Sequence, residues 1–294
     1  MSVMRETSSL IIEPSLDVGS VLPIRLKRAT LKQYASVLKS VSHARSQATS
    51  VAPVNVWKED DIRFVRSTIK DPTRGAVLFS QESCILECRD FSILVSLLVG
   101  NLSSCCNLSL RASSAKSVGP FLYHSDPFVA FPLHTDGAFL ENAPDWIGLC
   151  KLNEQDARGG ETTLLNIQSW LKNDSFLDVG ALREKFPWFL PSSNPSVVEA
   201  ALTVRAPILT NFGSSLGVRF GLLDPQKYQK MPRERELHDA LTKSFHASSH
   251  CLDVNIPLGA MLCVNNKVFL HGRKHFSPNE KLQRTVIRLQ GFFS

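Results

Sequence analysis

At 294 residues, with 43% apolar side chains and a formal charge of +6, the chain is long enough to bury a substantial core and reads as an ordinary globular protein. Its longest apolar run, at residues 91–100 (FSILVSLLVG), is half of the roughly 20 residues that cross a bilayer. The N-terminus has no basic start followed by a long apolar core, so a cytoplasmic protein without a membrane span is expected. Basic residues are scattered (Arg25, Lys27, Arg28, Lys32, Lys39, Arg45), which reads as a solvated surface and argues against nucleic acid as a partner.

Residues 30–48 carry Leu31, Tyr34, Leu38 and Val41 at helical spacing, with Thr30 as the N-cap. Residues 58–69 open on Glu59, Asp60 and Asp61, charges that suit a helix N-terminus. A third, inward-packed helix is predicted over 90–102. After about Pro120 short runs rich in β-branched and aromatic residues recur, at 128–133, 146–152, 162–167, 198–206, 218–222, 260–264 and 285–290. Gly, Pro, Asn and Asp separate them, and helical stretches at 167–172 and 233–245 interrupt them. Strands at this density predict a mainly β protein with flanking helices, a double-stranded β-helix or jelly roll. With no repeat, low-complexity tract or clear linker, residues 1–294 are expected to form a single domain. In it a helix-rich part (1–120) packs on a jelly-roll core (121–294). Seven cysteines without a C-x-x-C pair exclude zinc-ribbon and thioredoxin readings and predict buried, reduced thiols.

The chemistry concentrates in two places. In the segment 131–137 (FPLHTDG), His134 and Asp136 lie two apart and would project to the same side of a strand. Gly137 lets the chain turn away at once. Far downstream, His271 sits in FLHGR. Two His and a carboxylate cover one face of Fe(II) and leave the other open. A zinc site with three protein ligands and an open position is the alternative. His43, His238, His246 and His250 read as surface residues, and His124 and His275 as structural neighbours of the motifs. After His271 comes a basic strand in which Arg284, Arg288 and Gln290 share one face by parity. A guanidinium there can hold a carboxylate by two parallel hydrogen bonds; an edge strand with exposed arginines is the plainer alternative.

The segments HTDGAFLENAPDWIGLCKLNEQDARGGETTLLNIQSWL (134–171) and PLGAMLCVNNKVFLHGRKHFSPNEKLQRTVIRLQGFF (257–293) resemble the Fe(II)/2-oxoglutarate-dependent dioxygenases of the taurine dioxygenase-like (TauD/TfdA) superfamily. Within it the likeness is to the glutarate 2-hydroxylase (CsiD) family. It covers the C-terminal half well and the N-terminal third only in general layout. The resemblance implies that His134, Asp136 and His271 are catalytic and bind Fe(II), that Thr162 contacts 2-oxoglutarate, and that Arg288 anchors its distal carboxylate with Arg284 as a neighbour in the clamp. With O2 as the other co-substrate, the enzyme would hydroxylate an unactivated C–H bond of a small carboxylate-bearing molecule and release succinate and CO2. A free amino acid such as lysine, or a dicarboxylate such as glutarate, fits that description.

Substrate contacts are expected from Glu141, which would pair with an amine, from Arg273, and from Gln290. The last departs from the resembled family, which carries a charged residue in R-Q-R-G-Y-F where this chain reads Arg288-Leu289-Gln290-Gly291-Phe292-Phe293; glutarate as substrate is in doubt on that account. Asn266 is expected to cap a turn or orient His271. The implied partner is a small-molecule substrate, and homo-oligomerisation is left open. The rival readings are a zinc-dependent hydrolase on a β-barrel and a non-catalytic small-molecule-binding jelly roll.

Overall fold

Alternation sets the architecture. In the computed structural model, which describes residues 8–13, 21–44, 57–82, 84–112, 126–173, 179–189, 203–223 and 228–294 (37–44 as backbone only), the strands are β1 Leu10–Ile12, β2 Val21–Leu26, β3 Ala76–Gln81, β4 Asn101–Arg111, β5 Phe131–His134, β6 Trp146–Gln155, β7 Thr162–Asn166, β8 Lys185–Phe189, β9 Thr203–Pro207, β10 Leu209–Phe212, β11 Ser215–Val218, β12 Leu252–Val254, β13 Met261–Asn265, β14 Phe269–Arg273 and β15 Gln283–Phe292. Helices cover Arg28–Ala44, Glu59–Lys70, Cys88–Val99, Ile167–Asn173, Val179–Leu182 and Pro232–Ala247.

The larger sheet has the order β1-β2-β3-β13-β6-β15-β4, and the smaller one β12-β7-β14-β5. Every pairing is antiparallel except β2 with β3. In β13, Leu262 and Val264 join a core that also holds Leu133, Leu164, Phe269 and Leu270 of the smaller sheet. Met261 and Cys263 turn the other way and pack with Val65, Phe91, Leu94 and Leu98 of the helices. Successive strand residues face opposite sides, so a strand buried on both faces must be apolar throughout, as MLCV in β13 is. The result is a double-stranded β-helix: two facing sheets, with helices over the outer face of the larger one.

Residues before 120 do more than supply helices. They contribute β1 to β4, more than half of the larger sheet. The first helix starts at Arg28, so Thr30 lies inside it and is not its cap. The third ends at Val99, and the chain continues straight into β4 rather than remaining helical to 102. β4 pairs along its length with β15 at the sheet edge, with nearly all its side chains exposed, so it carries no in-out alternation to announce it. β14 was missed too, because FLHGR is short and holds a glycine. The part of the 198–206 run up to 202 lies outside the described residues, as do 45–48, His124 and the His43 side chain.

Cys150 and Cys263 are buried, but Cys84, Cys105 and Cys106 are exposed, which corrects the expectation of generally buried thiols; all seven are free. His238 corrects another: it is buried, because it shares the inward face of its helix with Leu241 and Phe245. Among the described residues no helix is long and apolar enough to cross a membrane.

Candidate metal centre and anion-binding cavity

β5 and β14 pair so that His134 and His271 lie directly across from each other, with ring centroids 4.2 Å apart. Asp136 follows just beyond the end of β5, and Gly137, at φ +69°, turns the chain away in the left-handed region that glycine tolerates. Asp136 Oδ1 lies 3.5 Å from His134 Nε2 and 3.7 Å from His271 Nε2. The three donor atoms all fall within 4.8 Å of one another, and all three residues are buried.

Protonation follows from the surroundings. His134 Nδ1 donates to the Pro132 carbonyl at 2.9 Å, which turns its Nε2 to the carboxylate. Burial, and then the neighbouring His134, push His271 down to about 4, leaving it neutral near pH 7. Burial alone would raise the Asp136 carboxyl, but the two imidazoles hold it well below the usual carboxylate range. Two imidazole nitrogens and a carboxylate oxygen converging in a buried space make a donor set suited to a divalent cation.

Polar neighbours hold Asp136 still. Asn266 accepts from the Asp136 backbone N–H at 2.8 Å and donates to the carbonyls of Asp136 and Pro144 at 2.9 and 2.8 Å. It thus acts on the carboxylate-bearing peptide and not on His271. Gln290 donates to Asp136 Oδ2 at 2.7 Å and accepts from Ser104 Oγ at 2.9 Å, which leaves Oδ1 to face the imidazoles.

A cavity of about 570 Å³ opens beside this cluster. Arg284, Arg288 and Gln290 line it from one face of β15, and Thr162 and Arg273 line it from the smaller sheet. Arg288 NH1 stands 3.7 Å from Asp136 Oδ1. Arg284 is buried deeper. It donates to the Gly160 carbonyl, two residues from Thr162, and its Nε lies 3.8 Å from Glu154 Oε1. Glu154 also accepts from the buried Lys151 ammonium at 2.6 Å, and Lys151 donates to Asn255 Oδ1 at 3.3 Å. Gly160, at φ +74°, permits this packing, since a Cβ there would sit 2.1 Å from the Phe276 ring. That ring lies under both Arg273 and Arg284. Among the described residues the buried Nε atoms of Arg284 and Arg288 have no hydrogen-bond partner; Glu154 stands near the first, while the second has room for a ligand's hydrogen bond.

The remaining expected contacts fall elsewhere. Arg273 donates to the carbonyls of Asp126, Pro127, Val129 and Lys274 and so clamps the chain before β5. Glu141 is exposed and does not line the cavity; its carbonyl accepts from Arg219, which also holds the carbonyls of Ala138 and Leu140. Nothing local marks Arg219 as the brace of this loop. Lys151 did carry a signal: a lysine inside the apolar run WIGLCKL is a buried charge in want of a partner.

A CsiD family profile matches residues 49–293. The glutarate 2-hydroxylase of Klebsiella pneumoniae (strain 342) is 29% identical over 177 residues, covering 58% of this chain and 51% of that one. The one of Pseudomonas putida (strain F1) is 28% identical over 172 residues with the same coverage. The chain therefore spans about half the length of these curated relatives. Among solved structures, an asparagine oxygenase in complex with Fe(II), 3-hydroxyasparagine and succinate superposes with a TM-score of 0.66 at 16% identity, over 92% of this chain and 93% of that one. The non-haem iron oxygenase OrfP, with Fe, succinate and (3S)-hydroxy-L-Arg, gives 0.65 at 17%, over 92% and 94%. At such identities the likeness is one of fold. The profile match, which runs through the sheet, the histidine pair and the arginine strand, carries the assignment: the chain belongs to the CsiD family.

Proposed function

We propose that this protein is an Fe(II)- and 2-oxoglutarate-dependent dioxygenase that hydroxylates a small carboxylate-bearing molecule. One observation carries the reading: His134, Asp136 and His271 converge in a cavity that Arg284 and Arg288 also line, from one face of the same strand. The glutarate 2-hydroxylase relatives and the iron oxygenases of like fold support it. A zinc hydrolase would need the open metal position but has no use for paired anion sites behind it.

In this reading His134, Asp136 and His271 hold Fe(II), and the metal with 2-oxoglutarate and O2 supplies the oxidising power for C–H hydroxylation, with succinate and CO2 as co-products. The chain's own residues do the positioning. Thr162 and Arg284 are paired here as the seat of the far carboxylate of 2-oxoglutarate, because Arg284 is fixed to the Gly160 carbonyl next to Thr162. Arg288, which the resemblance cast in that role, stands instead at Asp136 and is assigned to the substrate's carboxylate. Gln290 and Asn266 orient Asp136; they are positioning residues. Arg219 braces the loop at 138–141, part of which walls off the metal from water.

The test is succinate release from 2-oxoglutarate by the Fe(II)-loaded protein, with and without a panel of carboxylates and amino acids. Stimulation by at least one, dependent on O2 and abolished in Asp136→Ala, is expected. Equal activity without O2, or with zinc in place of iron, would overturn the reading.

A further inference from the structure

We infer that the substrate is a monocarboxylate with an apolar body, and not a dicarboxylate or a free amino acid. The inference rests on the function proposed above and names the substrate class of the same cavity. It comes from counting which polar groups on the cavity wall remain free to bind.

Among the described residues three cationic side chains line the cavity, and two are committed. Arg273 is held by four backbone carbonyls. Arg284 is held by Gly160 and Glu154 and faces the co-substrate seat. Arg288 is left: among the described residues it donates no hydrogen bond from its Nε and meets only Asp136, at 3.7 Å, so its guanidinium can take one carboxylate. A second carboxylate would need a second donor, and Gln290 cannot serve, because its amide lies between Asp136 Oδ2 and Ser104.

An α-ammonium fares no better. Asp136 is the only acidic side chain lining the cavity among the described residues, and it faces the two imidazoles, Arg288 and Gln290. Thr135, another polar residue of the wall, exchanges hydrogen bonds with the Phe220 backbone. Asn107 and Ser109 also line the cavity, from the exposed edge strand; Ser109 Oγ is paired with Thr285 Oγ1 at 3.3 Å, and Asn107 offers an uncharged, solvated carboxamide in place of a second cation.

Opposite this sparse polar set stands an apolar wall that includes Phe139, Leu140, Trp188, Phe189 and Leu222. Burying a charged or strongly polar tail against it without partners is unfavourable, whereas each buried CH2 of an apolar tail favours binding. An ionised tail taken from water to such a wall loses hydration that nothing on the wall replaces.

The experiment is equilibrium titration of the Ni(II)-substituted protein, saturated with 2-oxoglutarate, with 4-methylpentanoate, 3-phenylpropanoate, glutarate and L-lysine. At least one of the two apolar monocarboxylates should bind tenfold or more tightly than glutarate and lysine. Arg288→Met should weaken that monocarboxylate at least tenfold while changing the 2-oxoglutarate affinity less than threefold, and Phe139→Ala should weaken 3-phenylpropanoate severalfold. Glutarate or lysine ranking first, with 2-oxoglutarate bound, overturns the substrate class and leaves the dioxygenase reading standing. Loss of 2-oxoglutarate binding in Arg288→Met also overturns it, by returning Arg288 to the co-substrate. Failure of 2-oxoglutarate to bind the metal-loaded wild type takes down both readings.

Discussion

Asn266 is 1% exposed, and its carboxamide satisfies both the N–H and the C=O of Asp136 as well as the carbonyl of Pro144. Truncating it would strand buried backbone groups, each of which costs about 1–3 kcal/mol when unpaired. Asn266→Ala should therefore lower the unfolding free energy by about 3 kcal/mol and weaken metal binding by about tenfold, read from urea unfolding and Co(II) titration. A variant as stable as the wild type would show that water replaces the carboxamide. The residue also marks how far sequence reasoning reaches. Its place shortly before His271 suggested a supporting role, but which group it supports depends on the turn at 137–144 folding back across it. Gln290 teaches the same lesson: parity put it on the cavity face with Arg284 and Arg288, as observed, while its engagement with Asp136 belongs to the packing of β15 against the end of β5.

β6 and β15 lie side by side, with Arg284 across from Glu154. Between them the Lys151 ammonium, the Glu154 carboxylate and the Arg284 guanidinium form a chain in which one acid serves two buried cations. Burial lowers the Lys151 pKa, and the hydrogen bond to Glu154 works against that shift. Glu154→Gln should cost about 2 kcal/mol, less than the roughly 3–5 kcal/mol of a fully enclosed pair because Glu154 keeps some solvent contact. It should also lower the affinity for 2-oxoglutarate severalfold, through a less well-held Arg284, with metal affinity unchanged; calorimetric titration separates the two. An unaltered 2-oxoglutarate affinity would mean that the Gly160 carbonyl alone orients Arg284. At this scale the main helices and the central strands β6, β13 and β15 were legible, because 3.6- and 2-residue periodicities are local properties of an apolar face, whereas β3, in the same sheet, was not read. β4 and β14 were not: one is an edge strand solvated on both sides, and the other is five residues long and carries chemistry in place of pattern.

For the molecule as a whole, acid should be destabilising in a defined window. His238 is enclosed between Phe220, on which it stacks at 4.3 Å, and the Gly221 carbonyl, to which its Nε2–H donates at 2.8 Å. Burial pushes it from the ordinary 6.5 down to about 4. Between those values the unfolded chain takes up a proton that the folded one refuses, so the stability it contributes is complete above pH 6.5 and is lost as the pH falls towards 4. The melting temperature of the metal-free protein should drop between pH 7 and 4.5, and His238→Gln should flatten that drop; equal slopes for both proteins would clear His238 of the effect.

Residue chemistry and local periodicity by themselves determined a mainly β chain with early helices, a strand-borne His-x-Asp, a distant third histidine and a basic strand after it. Only the tertiary structure decided that β14 lies against β5 so that the two imidazoles meet, that residues before 120 complete the larger sheet, and that Arg273 and Gln290 are engaged by hydrogen bonds while Arg288, among the described residues, meets only Asp136, at 3.7 Å. The reason is physical: a side chain's type and periodic position are written locally, whereas its partners come from strand pairings between segments far apart in the chain. In a buried cavity it is the partners a polar group already has that decide what it can still bind.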